Sequence, residues 1–478
     1  MRRAAALIAC LLLAGCGGAA ASGPGAGAGS TLTATWADRD GNGELARGPG
    51  EPLADRTELA PRSRPLKQLA LFAQFTDTHV RDEESPARVP FLDRLGGPFT
   101  STFRPQEALT TQVLTGTVRA IDGLHPQAVV ESGDLIDNDQ QNELDQALTV
   151  LHGGVVHPDS GAPGYSGVQS SSDPDPLYYR PGVDAPRHPG LLDQAEQPFR
   201  SPGLHAPWYP VLGNHDVLVA GEIPRSAVTN AVAVGSRRVL ELPPGVRVPR
   251  SEGRARQTID SLLAGGLPGQ TAHTAPDASR RELPAGEVVA RLRAASGAGG
   301  AGPRLEYAFD IGASVRGIVL DTVRRDGGSG GTLAPDQLAW LSNELRRAGR
   351  RWVVIFSHQP LSGFAGGLRA LALLDRDPRV VAVVSGDTHR NRVEPRESPA
   401  GGYWLITTSS LADYPQQARA FRLVQTANGR VALETWMIDH EDGDMAGVSR
   451  ALAYLDVQGG RPQHFAGKRL DRNVRLYR

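Results

Sequence analysis

The chain has 478 residues, and its 51 Lys and Arg residues almost balance its 52 Asp and Glu residues, which gives a formal net charge of -1. This balance provides no general attraction to nucleic acid, so no nucleic-acid partner is expected. Apolar residues make up 40% of the chain, enough for a core, and the length allows one large domain with insertions or two to three smaller ones. The 56 Gly and 36 Pro residues predict many loops.

The N-terminus has the pattern of an export signal. Arg2 and Arg3 precede an apolar run that is too short to span a membrane and that ends in "LAGC" at Cys16. This ending resembles a bacterial lipobox, which predicts that a signal peptide, residues 1–15, is removed and that Cys16 carries lipid. The protein would then be extracytoplasmic and anchored to the cell membrane. An ordinary secretory signal and a retained anchor are the alternatives.

The only two cysteines, Cys10 and Cys16, both lie in this signal region. The mature chain can therefore contain neither a disulfide nor a structural zinc site built from cysteine. Any metal must be held by His, Asp, Asn or Glu.

The composition divides the rest of the chain into segments. Residues 16–66 are rich in Gly, Ala and Ser and then polar, which predicts a flexible tether. Residues 67–445 would form the folded domain, and residues 446–478 a C-terminal extension. Two stretches rich in Gly and Pro, at about 152–206 and 220–304, read as insertions near the functional site, since such long loops are usually functional or disordered.

Within the domain, apolar runs alternate with amphipathic segments. The amphipathic segments 108–124 and 334–349 have helical spacing. The runs that predict strands are residues 69–75, 127–135, 206–216, 315–322, 351–359, 379–387 and 402–410. Strands that alternate with helices predict an α/β layered fold.

Polar side chains follow these runs in a recurring way, in the loops where α/β sheets collect functional groups. In chain order they are Asp77 and His79, Asp134, Asn214 and His215, His358, and finally Asp387 and His389. Each motif alone is compatible with a turn or a helix cap. The ordered set indicates a metal site, and its nitrogen and oxygen donors suit zinc, manganese or iron. Asp134 has the two oxygens needed to bridge two ions, an arrangement that suits phosphoester hydrolysis.

The ordered motifs "DTH", "GDLIDN", "GNHD", "SHQP" and "GDTH" resemble those of the calcineurin-like metallophosphoesterase superfamily, over roughly residues 68–440. Features such as "APWYPVLGNHD" and "DQLAWL" are similar to those of an actinobacterial subgroup of metallophosphoesterases. The resemblance implies a four-layer α/β/β/α sandwich. It also implies two divalent metal ions, manganese, iron or zinc, and a phosphomonoester or phosphodiester substrate.

The resemblance also implies a role for each residue. The first ion would be bound by Asp77, His79, Asp134 and His389. The second would be bound by the shared Asp134, by Asn214 and by His358. His215 would stabilise the transferring phosphoryl group or protonate the leaving oxygen, and Asp216 would orient His215. Asp137 and Asn138 would support the ligands or be ordinary loop residues, and Arg390 and Asn391 would contact substrate or lie in a solvated loop.

Asp387 departs from the family pattern, which has histidine there as the remaining ligand of the second ion. A carboxylate can still bind a metal, but it makes the site one unit of charge less positive. We therefore expect a preference for manganese or iron, or for a substrate with less negative charge, such as a diester. The competing interpretation is a non-catalytic cell-surface binding protein on the same fold with an incomplete metal site, and Asp387 is its only support.

Overall fold

The computed structural model describes residues 27, 29–88, 104–172, 178–240, 257, 261, 269–443, 445–456 and 464–478. The strands are β1 (Ala34–Ala37), β2 (Ala46–Pro49), β3 (Ala54–Arg56), β4 (Pro65–Phe75), β5 (Val129–Glu131), β6 (Gly154–Val156), β7 (Phe199–Ser201), β8 (Trp208–Pro210), β9 (Arg237–Val239), β10 (Thr271–His273), β11 (Tyr307–Ile311), β12 (Val315–Val319), β13 (Trp352–Phe356), β14 (Val380–Ser385), β15 (Arg392–Arg396), β16 (Tyr403–Thr407), β17 (Gln417–Thr426), β18 (Val431–Asp439) and β19 (Val474–Tyr477). The helices are α1 (Thr110–Asp122), α2 (Gln141–His152), α3 (Leu191–Ala195), α4 (Ala227–Ala233), α5 (Ala285–Ala294), α6 (Pro335–Arg347), α7 (Ala365–Leu374) and α8 (Ala446–Leu455).

Two large sheets form the centre of the domain. The first has seven strands in the order β3-β19-β18-β17-β4-β5-β8, and the second has six in the order β11-β12-β13-β14-β16-β15. Strands β4, β5 and β8 run parallel to one another, as do β12, β13, β14 and β16. Parallel neighbours end at the same edge of their sheet, so the loops that follow them are brought together.

Aromatic side chains join the two sheets. Phe72 of the first sheet meets Phe356 of the second edge to face, with ring centroids 6.0 Å apart, and it stacks on Phe421 of its own sheet at 4.9 Å. Helix α1 packs on β17 and β18 and contacts α2, whereas Leu341 of α6 and Leu371 of α7 join an apolar cluster with the second sheet. The order of layers is helix, sheet, sheet, helix, which confirms the α/β fold class predicted from the sequence.

The predicted flexible tether is wrong for residues 29–66. Strand β3 pairs in parallel with β19, and Thr31 donates a hydrogen bond of 2.9 Å to the carbonyl of Met437. The Glu51 carboxylate forms an ion pair with Arg472. Strands of three or four residues, such as β1, β2 and β3, give no periodic signal, so composition alone suggested a tether. The signal peptide (residues 1–15) and Cys16 lie outside the described residues.

The predicted C-terminal extension is likewise part of the fold, because β19 pairs with β18 inside the first sheet. The long antiparallel pair of β17 and β18 at the centre of that sheet was not predicted, although Asn428 and Gly429 mark the turn between them. The described parts of the insertions contain the antiparallel strand pairs β6/β7 and β9/β10 and the helices α3, α4 and α5. Every helix among the described residues is too short or too polar to cross a membrane.

Candidate metal centre

The predicted ligands meet where the strands of both sheets end. Asp77 and His79 follow β4, and Asp134 follows β5; these belong to the first sheet. His358 follows β13, and Asp387 and His389 follow β14 in the second sheet. These loops are far apart in the chain and adjacent in space.

Backbone hydrogen bonds fasten these loops to one another. The Asp387 N–H lies 3.1 Å from both carboxylate oxygens of Asp77, which joins the two sheets at the site. The Asp77 N–H donates to the carbonyl of Gly133 at 2.9 Å, and the Gly386 N–H donates to the carbonyl of His358 at 3.0 Å. The loops are thus hydrogen-bonded to one another and fix one another's positions.

Five of the predicted ligands have a left-handed backbone. Their φ values lie between 48° and 64°, and the described residues include only four other non-glycine positions with positive φ. These five are Asp77, His79, Asp134, Asp387 and His389. Residues other than glycine rarely adopt this conformation, and such positions concentrate at functional sites because the surrounding structure has to impose them.

Two glycines allow the ligands of the two sheets to approach each other. A Cβ on Gly133, which has φ of +99°, would lie 2.3 Å from Nδ1 of His358. A Cβ on Gly386 would lie 2.0 Å from the hydroxyl of Thr76 and 2.6 Å from the Asp77 carboxylate. The glycine in each "GD" motif therefore removes a side chain where the opposite ligand must fit.

The first group of donors contains two histidines. The Nε2 atoms of His79 and His389 are 3.3 Å apart, and Nε2 of His389 is 3.4 Å from Oδ1 of Asp77. Oδ2 of Asp134 lies 3.8 Å from Nε2 of His79. Single donor atoms of Asp77, His79 and His389 all lie within 4.8 Å of one another, which is close enough to share one ion.

The second group centres on His358. Its Nε2 lies 3.1 Å from Oδ2 of Asp134, 3.7 Å from Oδ1 of Asp387 and 4.0 Å from Oδ1 of Asp77. Asp387, the residue that departs from the family pattern, thus has a carboxylate oxygen close to Nε2 of His358. Asp134 contacts both groups, as expected of a bridging carboxylate.

Asn214 is fixed beside the second group by two hydrogen bonds. Its Nδ2 donates to the carbonyl of Gly221 at 3.0 Å, and its Oδ1 accepts from Nε2 of Gln359 at 3.0 Å. An amide oxygen has two lone pairs, so Oδ1 keeps one for a further partner.

In each of the three predicted histidine ligands, Nδ1 is hydrogen-bonded to another group of the protein. Nδ1 of His79 bonds the Asp137 carboxylate at 3.0 Å, and Nδ1 of His389 bonds the Asp413 carboxylate. Nδ1 of His358 bonds the carbonyl of Ser132 at 2.9 Å, which leaves its buried Nε2 to face the Asp134 carboxylate. A metal-binding histidine characteristically donates its other N–H in this way, which fixes the tautomer.

The electrostatics of the centre favour a cation. Burial, together with the neighbouring Asp77 and Asp134 carboxylates, raises the pKa of Asp387 to about 6, although His358 opposes this shift. Burial opposes the charged form of His389, yet Asp77 and Asp413 raise its pKa to about 10. Carboxylates packed this closely need compensating positive charge, which bound divalent ions would supply. The donors therefore fit two borderline or hard divalent ions, with three carboxylates, three imidazole nitrogens and one amide oxygen.

His215 lies at the edge of the centre and has its own support. Its ring packs edge to face on His79 with centroids 4.5 Å apart. Its backbone N–H donates to Oδ1 of Asp134 at 2.9 Å, and Nδ1 bonds the backbone carbonyl of Asp137 at 2.7 Å. Nε2 is then the nitrogen available to a substrate.

The prediction that Asp216 orients His215 is wrong. The Asp216 carboxylate instead accepts hydrogen bonds from the backbone N–H groups of Gly213 at 2.8 Å and of Asp134 and Ile136 at 3.2 Å each. Asp216 therefore ties the loop after β8 to the loop after β5. The group that orients His215 is the carbonyl of Asp137.

The remaining predicted residues divide into three cases. Asp137 supports His79, whereas Asn138 accepts a hydrogen bond of 2.8 Å from the backbone of Ala220 and so fixes the loop over His215. Arg390 is exposed near the site. Asn391 is buried and accepts from Ser409 at 3.0 Å and Arg419 at 2.9 Å, which contradicts its predicted contact with substrate.

Two supporting residues were not predicted. Asp413 binds His389 and forms an ion pair of 3.0 Å with Arg104, and Gln359 binds Asn214. A signal existed for both. Asp413 follows β16 at the same sheet edge as the other ligands, and Gln359 directly follows His358.

A cleft of about 630 Å³ opens beside Asp387. Arg390 contributes positive charge to its wall, Arg392 is paired there with Glu394, and Phe364 and Phe465 contribute aromatic surface. The ring of Phe465 lies 6.0 Å from that of His389. The cleft is therefore continuous with the metal centre and combines cationic with apolar surface.

A family model described as calcineurin-like phosphoesterase matches residues 71–391, which include the eight strand-end residues from Asp77 to His389. The chain belongs to the calcineurin-like phosphoesterase family. It is accordingly a metal-dependent hydrolase of phosphate esters, from a family that generally binds two divalent metals. No match was found among curated proteins.

This calcineurin-like phosphoesterase is also similar to solved structures. A dimetal phosphatase from Danio rerio is 14% identical with a TM-score of 0.39, and the match covers 78% of this chain and all of that one. A purple acid phosphatase from yellow lupin seeds is 11% identical with a TM-score of 0.31, over 83% of this chain and 57% of that one. PhoD is 13% identical with a TM-score of 0.31, over 86% and 80% respectively.

Proposed function

We propose that this phosphoesterase works with two divalent ions at the bacterial cell surface, where Cys16 carries a lipid. The observation that carries the two-metal proposal is the pair of donor groups that share Asp134, one around His389 and one around His358. A single ion would leave one of the two groups as a buried cluster of charge without compensation.

The first ion would be bound by Asp77, His79, Asp134 and His389. The second would be bound by Asp134, Asn214, His358 and Asp387. The 3.7 Å between Oδ1 of Asp387 and Nε2 of His358 supports the inclusion of Asp387, because two ligands of one ion approach each other this closely. On this proposal the exchange of histidine for aspartate preserves the number of ligands and changes only the charge.

Each protein group then has a separate task. Bound divalent ions supply Lewis acidity and an activated water. His215 is directed at the substrate through Nε2, because its Nδ1 is engaged with the Asp137 carbonyl at 2.7 Å. It can donate a hydrogen bond to a phosphoryl oxygen or a proton to the departing alkoxide. The loop that Asn138 fixes at Ala220 keeps His215 in place.

The cleft beside Asp387 is the space for the organic part of the substrate. Its aromatic walls, Phe364 and Phe465, suit an apolar or ring-containing alcohol, and Arg390 suits an anionic oxygen. The carboxylate of Asp387 at the entrance disfavours a doubly charged phosphate. Both features favour a phosphodiester over a phosphomonoester.

The test compares a nitrophenyl phosphate monoester with the corresponding diester, using metal-free protein reconstituted with manganese, iron or zinc. We expect hydrolysis that is lost on chelation and restored by manganese or iron, with the diester preferred. Two bound zinc ions with a preference for the monoester would contradict the role given to Asp387. No turnover with any metal, in protein that binds at most one ion, would favour a non-catalytic binding protein.

The cellular location has its own test, which does not depend on activity. Cys16→Ser should abolish labelling of the protein by a fatty-acid analogue and release it from the membrane fraction. Cys10→Ser is the matched control and should keep both properties. If Cys16→Ser is still labelled and still sediments with membranes, the lipoprotein proposal is wrong.

A further inference from the structure

A second acidic cluster lies apart from the candidate metal centre. Single carboxylate oxygens of Glu84, Asp159 and Glu196 lie within 4.8 Å of one another. Glu84 belongs to the loop after β4, Asp159 follows β6, and Glu196 directly follows α3. The cluster therefore joins the loop that contains His79 to the first insertion.

These residues line a partly open cavity of about 20 Å³, which also has Glu83 and Ser160 in its wall. That volume is enough for one water-sized particle. Glu83 provides an observation that is independent of the three clustered residues. It is only 8% exposed, and its Oε2 is buried without a hydrogen-bond partner in the described part of the chain.

Three other carboxylate oxygens at the cavity are also buried without a hydrogen-bond partner among the described residues. Oε2 of Glu84, Oδ1 of Asp159 and Oε1 of Glu196 are buried and accept no hydrogen bond from any described residue. Leaving a buried carboxylate oxygen without a partner is costly, so such atoms need a cation or a proton. Four of them in one wall are not explained by the phosphoesterase site.

The nearby arginines compensate for only part of the charge of these four carboxylates, since Arg280 attracts Glu84 and Arg81 attracts Glu83 without a hydrogen bond to either. Arg280 directs its Nε at Asp82 at 2.7 Å and its Nη2 at Ser160 at 2.7 Å, which leaves 3.7 Å between Nη2 and Oε2 of Glu84. That distance is too long for a hydrogen bond. Arg81 pairs with Glu107 and with Asp137.

We infer that this cavity binds one calcium ion, which would be separate from the ions of the catalytic centre. The wall offers hard oxygen donors from carboxylates and a hydroxyl, with no imidazole or sulfur among the described lining residues, as calcium requires. Carboxylates on separate loops supply the irregular, flexible coordination that calcium tolerates and magnesium does not. In support, burial raises the pKa of Glu84 to about 7 and that of Glu196 to about 8, so both carboxylates need positive charge to stay ionised.

Calcium would join the first insertion to the loop that follows β4. It would hold Asp159 and Glu196 of the insertion against Glu84, five residues after His79. Arg81 lies between these sites and bonds Asp137, which orients both His79 and His215. The expected effect is therefore on stability and on the geometry of the catalytic loop.

The test uses the full chain after its catalytic centre is loaded with manganese. Equilibrium dialysis with radioactive calcium should detect one further ion per chain, with Kd between about 10⁻⁵ and 10⁻³ M. The thermal midpoint should rise with calcium concentration. The Asp134→Asn variant, whose catalytic centre is impaired, should keep the calcium site.

Variants at the cavity decide the outcome. Glu84→Gln combined with Glu196→Gln should weaken calcium binding at least about tenfold, because two anionic ligands are lost. Asp159→Asn, at a partly exposed position, is a second variant in case the first does not fold. Asp193→Asn, on the exposed face of α3, is the matched control; Asp193 influences Glu196 but does not line the cavity, so its loss should weaken binding far less than the loss of a lining carboxylate.

The alternative is a cluster of carboxylic acids that share protons. In that case calcium would neither bind nor raise the thermal midpoint, and the Glu84→Gln and Glu196→Gln changes would leave stability unchanged or increase it. Either result would overturn the inference. Hydrolysis by the manganese-loaded enzyme, measured in parallel, separates failure of the calcium site from failure of the phosphoesterase proposal.

Discussion

The two halves of the candidate metal centre are supported differently. In the half around His389, both histidines are backed by carboxylates, Asp137 and Asp413. In the half around His358, the histidine is backed by a neutral carbonyl, and the side chain of Asp387 is 26% exposed. A carboxylate partner makes an imidazole a more basic ligand. We therefore expect the first position to hold its ion tightly and the second to exchange its ion with solvent.

The largest effect is expected where the two halves meet. Asp134→Asn removes the bridging charge, so both positions should lose affinity, and kcat should fall by about a thousandfold or more, which corresponds to several kcal/mol of transition-state stabilisation. Metal content by mass spectrometry and kcat on the preferred ester check this. Retention of both ions with kcat within tenfold of the wild type would show that the halves do not depend on Asp134.

Substitution of His215 should lower the rate of hydrolysis without affecting metal binding. His215→Ala should lower kcat by about 10²- to 10⁴-fold, since a positioned acid is lost, while both ions stay bound. His205→Ala is a matched control, because that side chain is 80% exposed. Loss of an ion from His215→Ala would identify His215 as a ligand.

The comparison of the two halves is tested directly by Asp413→Asn. The change keeps the shape of the side chain but removes the charge that backs His389. It should weaken the first position by about 10- to 100-fold and leave the second unchanged. Titration of metal-free protein with manganese checks this, and equal weakening at both positions would remove the distinction between the halves.

The smallest effect is expected from restoring the family's ligand. Asp387→His makes the centre one unit more positive, and about 1 kcal/mol of added attraction would raise the ratio of monoester to diester turnover about fivefold. The measurement is kcat/KM for both esters. A variant that loses the second ion would show that this half requires a carboxylate.

The sequence motifs identified side chains that the structure brings together, because each lies within a few residues of a strand end, in a short motif. They could not predict the supports. Asp413 and His389 are separated by two strands, β15 and β16, that nothing in the motif specifies. Asp216 follows His215 in the chain, yet it bonds the backbone of Gly213, Asp134 and Ile136. The tether prediction failed for the same reason, since β3 is ordered only by its pairing with β19. Short motifs at strand ends could be predicted from the sequence, whereas hydrogen bonds and strand pairings between residues far apart in the chain could not.

The left-handed backbone at the ligand positions also limits which side chains these positions tolerate. Asp387 has φ of 64°, a conformation that asparagine, aspartate and histidine tolerate better than most side chains. All three can also bind a metal. Histidine and aspartate can therefore replace each other at this position without rebuilding the loop, whereas glutamate or a β-branched residue would distort it. If Asp387 is a ligand as proposed, a single substitution at this position would change the charge of the centre and, with it, the expected substrate preference.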